Sequence, residues 1–354
     1  VAQFNNSLGN EAYLNYRCKM AVGSFTKGKL FLPFFFLIGS LCWSQDIDIN
    51  DSTKTTNPIE SLLIDRELRN WSVRLFGNVK GQWFTLSNDN ARLSYIPNNL
   101  VGIGVGVATS KLILDIAFNL KDKSTERTIR FDLRGGFIAK NNVFDFYLQR
   151  YKGFNIENSI NTSSIFRDDI KSIAFGIDYL YLFKSGEYSI NLLRSGLSDQ
   201  KQSTFSFGVG GFMLYNQINA DNSLVPQELY PIFNEQARII DFTNYGIGVM
   251  GGLVGLIKLP SNFYFGISAR VGIGLTFKNT ESETVSYNTR DPMIYKINAF
   301  ALFGYKWERL YTNITFGAST NHSSLGYGNN GSFSLLDGKL AVGYKIKGNK
   351  KPIN

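Results

Sequence analysis

Residues 261–279 read SNFYFGISARVGIGLTFKN. Every second residue from Phe263 is apolar: Phe263, Phe265, Ile267, Ala269, Val271, Ile273, Leu275 and Phe277. Between them stand Tyr264, Gly266, Ser268, Arg270, Gly272, Gly274 and Thr276, which are small or polar, with one charge. A period of two marks a β-strand with two unlike faces. Strands of soluble sheets usually run about 5–6 residues, and this one keeps its phase far longer. Its polar face is also rich in glycine. The question is which solvent each face meets.

The same period recurs through the chain. Val101, Ile103, Val105 and Val107 alternate with Gly102, Gly104 and Gly106. Leu112, Leu114, Ile116 and Phe118 alternate with Asp115, Ala117 and Asn119, and Ile129, Phe131 and Leu133 with Arg130, Asp132 and Arg134. Phe144, Phe146 and Leu148 stand against Asp145, Tyr147 and Gln149. Ile173 to Tyr181 runs against Gly176 and Asp178, and Phe205 to Met213 against Ser206, Gly208 and Gly210. Tyr295 to Trp307 opposes Lys296, Asn298 and Lys306, and Leu340 to Ile346 opposes Lys345 and its neighbours. The charges Arg130, Asp132, Arg134, Asp115, Asp145, Asp178, Arg270 and Lys296 all fall on the glycine-rich face. An Arg at mid-membrane on a lipid-facing position costs about 2–4 kcal/mol, so this agreement assigns the apolar face to lipid.

Composition points the same way. The 354 residues include 29 Phe, 18 Tyr and 34 Gly, with 14 % aromatics, 44 % hydrophobic and 18 % charged residues. An average soluble domain is about 25 % charged. The N-terminal region reads as an address. Lys27 and Lys29 precede the apolar run Leu30 to Leu41, and Cys42 and Ser44 supply small residues before Gln45. That order describes a secretory signal peptide cleaved after Ser44, with Met20 as the expected start. The run falls short of the ~20 residues of a spanning helix. Both cysteines, Cys18 and Cys42, lie in the expected leader, 1–44. Formal charge is +9; four basic side chains and Glu11 lie in 1–44, so the remainder carries +6 with no basic run. Nucleic-acid binding is not expected. Residues 45–70 form an expected periplasmic segment, with a short helix opened by Asn57-Pro58.

An exported chain with apolar alternation and no run of 18 apolar residues reads as an all-β, transmembrane, antiparallel up-and-down barrel of the outer membrane. Lipid satisfies no free backbone group, so the sheet must close on itself. We expect the barrel over 71–348 and a polar tail at 349–354. Short turns near 109–111, 140–142, 184–186, 260–262 and 307–309 belong on the periplasmic side. Longer polar connections near 87–91, 121–127, 157–169, 196–202, 279–292 and 321–331 belong outside. Parity then demands one more strand, expected near 223–234 despite Pro226 and Pro231, which gives about fourteen strands, with twelve as the fallback.

The stretches LSYIPNNLVGIGVGV and TIRFDLRGGFIAKNNVFDFYLQRYKGFNIEN resemble a Bacteroidota outer-membrane family known as domain of unknown function 4421. So does YLYLFKSGEYSINLLRSGLSDQKQSTFSFGVGGFMLY. The resemblance rests on Tyr95, Pro97 and Asn98, on Tyr151 to Phe154, and on Gln200 and Lys201, and spans Trp71 to the C-terminus. It implies a barrel and an envelope location, and no activity.

Few residues suit chemistry. The lone His322 lies two residues from Ser324, with Asp337 expected on the next strand. A Ser–His–acid set is defined by geometry. The stretch is similar to the His-x-Ser-Asn pattern of outer-membrane lipid A deacylases, but Leu325 takes the Asn place. A solvated loop His is the plainer reading, so no catalytic residue is assigned. No metal site is expected, since a transition metal lacks its usual ligands; Asp168 with Asp169, or Glu281 with Glu283, read as solvated acids. No cofactor is expected. Arg130, Asp132 and Arg134, with Asp145, form a lumenal charge column that either pairs internally or lines an aqueous path. The expected role is a non-enzymatic structural or partner-binding envelope protein. A passive, porin-like diffusion channel and a deacylase-like hydrolase using His322 and Ser324 stand as alternatives. Expected partners are outer-membrane lipid, the barrel-insertion machinery and a periplasmic or outer-membrane protein.

Overall fold

The computed structural model describes residues 70–109, 113–120, 127–139, 141–160, 164–183, 194, 196–197 and 203–347. The leader with its cysteines, the helix expected after Asn57-Pro58, Gln200, Lys201 and the tail lie outside these. Fourteen strands run through the described residues: β1 (Trp71–Ser87), β2 (Arg92–Ile96), β3 (Val101–Ala108), β4 (Ile113–Asn119), β5 (Ile129–Ala139), β6 (Asn142–Asn158), β7 (Ile165–Leu182), β8 (Thr204–Asn219), β9 (Ile239–Lys258), β10 (Phe263–Ser282), β11 (Ser286–Asn288), β12 (Met293–Trp307), β13 (Leu310–Gly326) and β14 (Asn329–Ile346). No helix among them is long and apolar enough to cross a membrane, which says nothing of strands.

Ten strands pair into a closed ring: β1, β2, β6 to β10, β12, β13 and β14. The ring closes where β1 meets β14 antiparallel over its whole length, from Trp71 opposite Ile346 to Ser87 opposite Asn330. β11 hangs on β10, β3 and then β4 continue from the lower half of β1, and β5 adds to the lower half of β6. The short β2 therefore bridges β1 and β6 at one end of the cylinder. Towards the other end β3, β4 and β5 fill the widening gap.

The phase of β10 answers the opening question. Val271 and Phe277 are 63 % and 71 % exposed, whereas Arg270 is 7 % exposed. The same alternation on the other strands builds an apolar outer belt. β9 and β10 have 20 residues each, about twice the 9–11 needed to cross a bilayer. Ladder pairing around the cylinder satisfies the backbone internally, and the apolar outer belt fits it to a bilayer of outer-membrane type. The protein is an outer-membrane β-barrel.

Trp71, Ile346, Asn141 and the tight turns at 259–262 and 308–309 share one end, which by turn length is periplasmic. Three expectations are corrected here. β7 ends beside Asn142, because Tyr181 pairs with it, and β8 begins opposite Leu256, so both meet the periplasmic end and the outer loop expected near 196–202 has no place between them. Parity then needs no strand at 223–234. That segment holds a 3₁₀ turn, Gln227–Leu229, followed by a second at Glu235–Ala237, and the total of fourteen comes from the short β2 and β11. Finally, 321–331 is no long loop: β13 and β14 run through it to a tight turn at Tyr327 and Gly328, both at positive φ.

Both ends of the cylinder are filled. At the outer end, Leu224, Val225, Leu229 and Phe233 of the 220–238 connection pack among Phe84, Tyr95, Phe154 and Phe242. The Tyr95 hydroxyl donates to the Leu224 carbonyl at 3.0 Å, and Asn88 Nδ2 donates to that of Ile232 at 3.0 Å. At the periplasmic end, Leu197 lies in a second core with Leu180, Leu256, Tyr264 and Leu302. Gly196, at φ +69°, turns the chain there so tightly that a Cβ would fall 2.1 Å from the Tyr311 ring. A residue at such φ without Cβ is the low-strain choice.

Candidate functional site

Between the two stoppers lies a cavity of about 400 Å³ beside β4 and β5. Six cationic and five carboxylate side chains line it. Burying a charge is costly unless it is paired, and the strands supply partners from across the lumen. Asp115 of β4 accepts from Arg74 Nη2 of β1 at 2.6 Å and from Lys339 Nζ of β14 at 2.5 Å. Asp132 of β5 lies 3.3 Å from Lys80 Nζ and accepts from Gln149 Nε2 at 2.7 Å and the Tyr151 hydroxyl at 2.9 Å. Asp145 of β6 meets Arg270 of β10 at 2.8 Å. Asp178 of β7 holds Lys296 of β12 and accepts from Asn298 Nδ2 at 2.9 Å. Asp337 of β14 is 3.4 Å from Arg134.

Arg194 differs from these. It lines the cavity from between β7 and β8, its guanidinium 6.0 Å from the Phe300 ring. Asp115 and Asp337 face it at longer range, already held by other cations, with Arg74 and Arg134 beside it. Among the described residues none makes an ion pair with it.

Each expected lumenal charge therefore has a definite place. Arg130, Asp132, Arg134, Asp145, Asp178 and Arg270 line the cavity, and Lys296 stands behind Asp178. The expected column does not pair within itself, however. Arg130 donates to the backbone carbonyls of Lys80 and, at 3.1 Å, Leu100, while Asp132 and Arg134 take partners on β1 and β14. Sequence reading placed Lys339 on the inward face without assigning it to the site, and missed Arg74, Lys80 and Arg194. The period-two phase of β1 is the signal that could have found Arg74 and Lys80; nothing local marks Arg194.

Of the residues that carry the family resemblance, the described ones lie on the outer side of this cavity. Asn98 and Thr128 exchange hydrogen bonds, at 3.0 Å onto Thr128 Oγ1 and 2.6 Å onto Asn98 Oδ1. Thr128 Oγ1 also donates to the Gly153 carbonyl at 2.7 Å. Gly153, at φ +88°, makes the bulge where the β6 register shifts. Tyr95 reaches up to the outer cap and Tyr151 across to Asp132. Together these residues tie the junction of β2, β3, β5 and β6 just above the cavity.

His322, Ser324 and Asp337 do not come together, which corrects the expectation that Asp337 would approach. His322 is exposed on the outer wall and its Nδ1 lies 2.8 Å from Ser332 Oγ. Asp337 points into the lumen opposite Gly317 of β13. Five strand residues at ~3.4 Å each put it roughly 17 Å from His322. The Ser324 hydroxyl accepts from the Gly326 N–H at 3.1 Å. Among the described residues no group of His, Cys, Asp or Glu has a metal-holding arrangement. Asp169 is bound by Arg167, and Glu283 by the Tyr230 hydroxyl at 2.9 Å.

Among curated proteins none matches this chain. Among solved structures it is similar to the outer membrane protease OmpT from Escherichia coli, at 8 % identity and TM-score 0.39, covering 80 % of this chain and 98 % of that one. It is similar to the translocator domain of the autotransporter NalP from Neisseria meningitidis at 10 % identity and TM-score 0.33, over 78 % and 88 % of the two chains. The toluene transporter TodX of P. putida matches at 7 % identity and TM-score 0.26, over 79 % and 91 %. None of these likenesses bears on what this chain does. The model of one family does match, over residues 59–346, and the chain belongs to that family, described as Domain of unknown function (DUF4421).

Proposed function

We infer that this outer-membrane barrel is a non-enzymatic structural or partner-binding protein with no open axial path. The observation that carries this reading is the filling of both ends, by the 220–238 cap outside and by the core around Leu197 on the periplasmic side. Pairing of all five cavity carboxylates supports it as well, since a conducting pore needs charges free to meet ions. In this reading the partners are outer-membrane lipid, the barrel-insertion machinery and a periplasmic or outer-membrane protein.

Purified protein in a planar bilayer is expected to give no steady conductance steps. Steady open steps from the wild-type chain would replace this reading by the diffusion channel. The separation of His322 from Asp337 speaks against a hydrolase. Release of lipid fatty acid is expected to be the same for wild type, His322→Ala and a protein-free control. Release lost only in His322→Ala would reinstate the enzyme.

A further inference from the structure

The wall of the barrel has a seam. β4 and β5 lie side by side, yet among the described residues no ladder joins them: β4 pairs only with β3, and β5 only with β6. Every other junction around the cylinder is hydrogen-bonded. The seam is bounded on its outer side by the Asn98–Thr128 exchange and by Arg130 on the Lys80 and Leu100 carbonyls. Unpaired backbone is not tolerated against hydrocarbon, only where it lines a polar or water-filled space.

The cavity reaches this seam from within. Its lining combines lumenal charges with side chains of the lipid-facing belt at the seam and on the adjoining strand: Ile116 of β4, Phe131 and Leu133 of β5, and Phe146 of β6. Phe131 is 55 % exposed and Ile116 53 %. Ala117, a small inward residue on β4, is exposed too. A path thus leads sideways from the bilayer into a chamber whose axial exits are stoppered. At its inner end stands Arg194, without an ion-pair partner among the described residues, and near it Arg134, whose side chain is 48 % exposed. A chamber with apolar lips and, inside, a guanidinium that has no ion-pair partner among the described residues is complementary to a molecule with one charged end and one greasy end. About 400 Å³ is at the small end of ligand sites, which span about 300–1,000 Å³. It suits a headgroup and the start of one chain, with the rest of the tail left in lipid.

We propose that the barrel takes up the carboxylate end of a single long-chain amphiphile from the bilayer through the β4–β5 seam, with Arg194 and Arg134 holding the carboxylate. The tail lies against Phe131, Leu133 and Phe146. This goes beyond the axial-closure reading and is measured separately: a conducting wild type would sink that reading and leave this test intact.

The test uses the full chain in dodecyl maltoside micelles with 11-(dansylamino)undecanoic acid as probe. Wild type is expected to give a saturable fluorescence rise at one probe per chain, displaced by decanoate and not by acetate. Loss of charge-assisted hydrogen bonds makes Arg194→Gln weaker by about ten- to a hundredfold, while Arg194→Lys keeps most of the binding. Ala117→Trp, which fills the seam from the opposite side of the cavity, also abolishes it. Folding of each variant is checked by heat-modifiable gel mobility. Four results would overturn the proposal: a rise no greater than in empty micelles, equal binding by wild type, Arg194→Gln and Ala117→Trp, displacement by acetate as effective as by decanoate, or hydrogen exchange as slow in β4 and β5 as in β13 and β14. The last would mean the seam is zipped shut.

Discussion

Arg270 and Val271 are chain neighbours in opposite solvents, and the sign of a substitution depends on which one is changed. Val271 faces lipid, so Val271→Arg is expected to cost about 2–4 kcal/mol in reversible unfolding from bilayers. A polar substitution one residue away on the lumen side carries no such lipid penalty. Inside the lumen the cost comes from pairing instead. Lys296 is 1 % exposed, bound to Asp178, and its ammonium sits 5.2 Å from the Phe212 ring. Lys296→Met leaves the Asp178 carboxylate with no cation, at an expected cost of about 3–5 kcal/mol. Adding Asp178→Asn removes the stranded charge, so the double variant is expected to regain most of the loss. If the double variant is no more stable than Lys296→Met alone, the pair is not the source of the effect. The phase of these residues was legible in the sequence, because lipid allows no exception along an apolar face. Their partners were not: Lys296 and Asp178 are 118 residues apart, and nothing local records a bond across a lumen.

At the scale of the element, the 220–238 cap shows where period-two reading fails. Its apolar residues Leu224, Val225, Leu229 and Phe233 face a core instead of lipid, so no alternation is imposed on them. Pro226 and Pro231 were the usable signal, since Pro removes a ladder donor. A loop at 196–202 on the outer side demands one more strand before Ile239, against both prolines. The cap is held by a clamp on the outer extension of β7, where the charged run Arg167, Asp168, Asp169 and Lys171 ends the apolar belt. Arg167 Nη1 donates to the Ser223 carbonyl at 2.5 Å, and Asp169 Oδ2 accepts from the Asp221 N–H at 3.0 Å. Hydrogen bonds from Arg167, at 2.8 and 2.5 Å, hold the Asp169 carboxyl below the usual carboxylate range. A carboxyl held low in the fold stabilises it above the unfolded pKa of about 3.9, and that contribution is lost as pH falls through the lower folded value. Hydrogen-exchange protection of 220–238, corrected for intrinsic rate, is expected to hold steady from about pH 7 to 5 and to fall below about 4. Asp169→Asn should start low and lose its share of that pH dependence. Unchanged protection in this variant at neutral pH would show the clamp to be idle.

For the whole molecule, closure was required by the sequence before any strand was located, since an open edge has no place in lipid. What sequence left open was how the circle is completed. Ten strands close it, three more widen one side, and the two ends of the barrel meet in the register of β1 on β14. That register is open to a direct test. Leu75 and Val342 face lipid and stand opposite one another. Opposed residues lie about 4.5–5.5 Å apart between Cα atoms, within the 4.4–6.8 Å of a disulfide. Leu340 instead opposes Gly77, so it is diagonal to Leu75, at about 7–8 Å, beyond easy bridging. With Cys18 and Cys42 changed to Ser, the Leu75→Cys/Val342→Cys chain is expected to oxidise to a covalent circle once folded. Its boiled form should then run at a different gel position from the same sample after reduction. Leu75→Cys/Leu340→Cys should stay linear under the same oxidant. The reverse pattern would shift β14 by two residues against β1, and would carry Asp337 and Lys339 away from Arg134 and Asp115. The cavity's ion pairs and the seal of the cylinder therefore depend on one register, and a single pair of cysteines reads it.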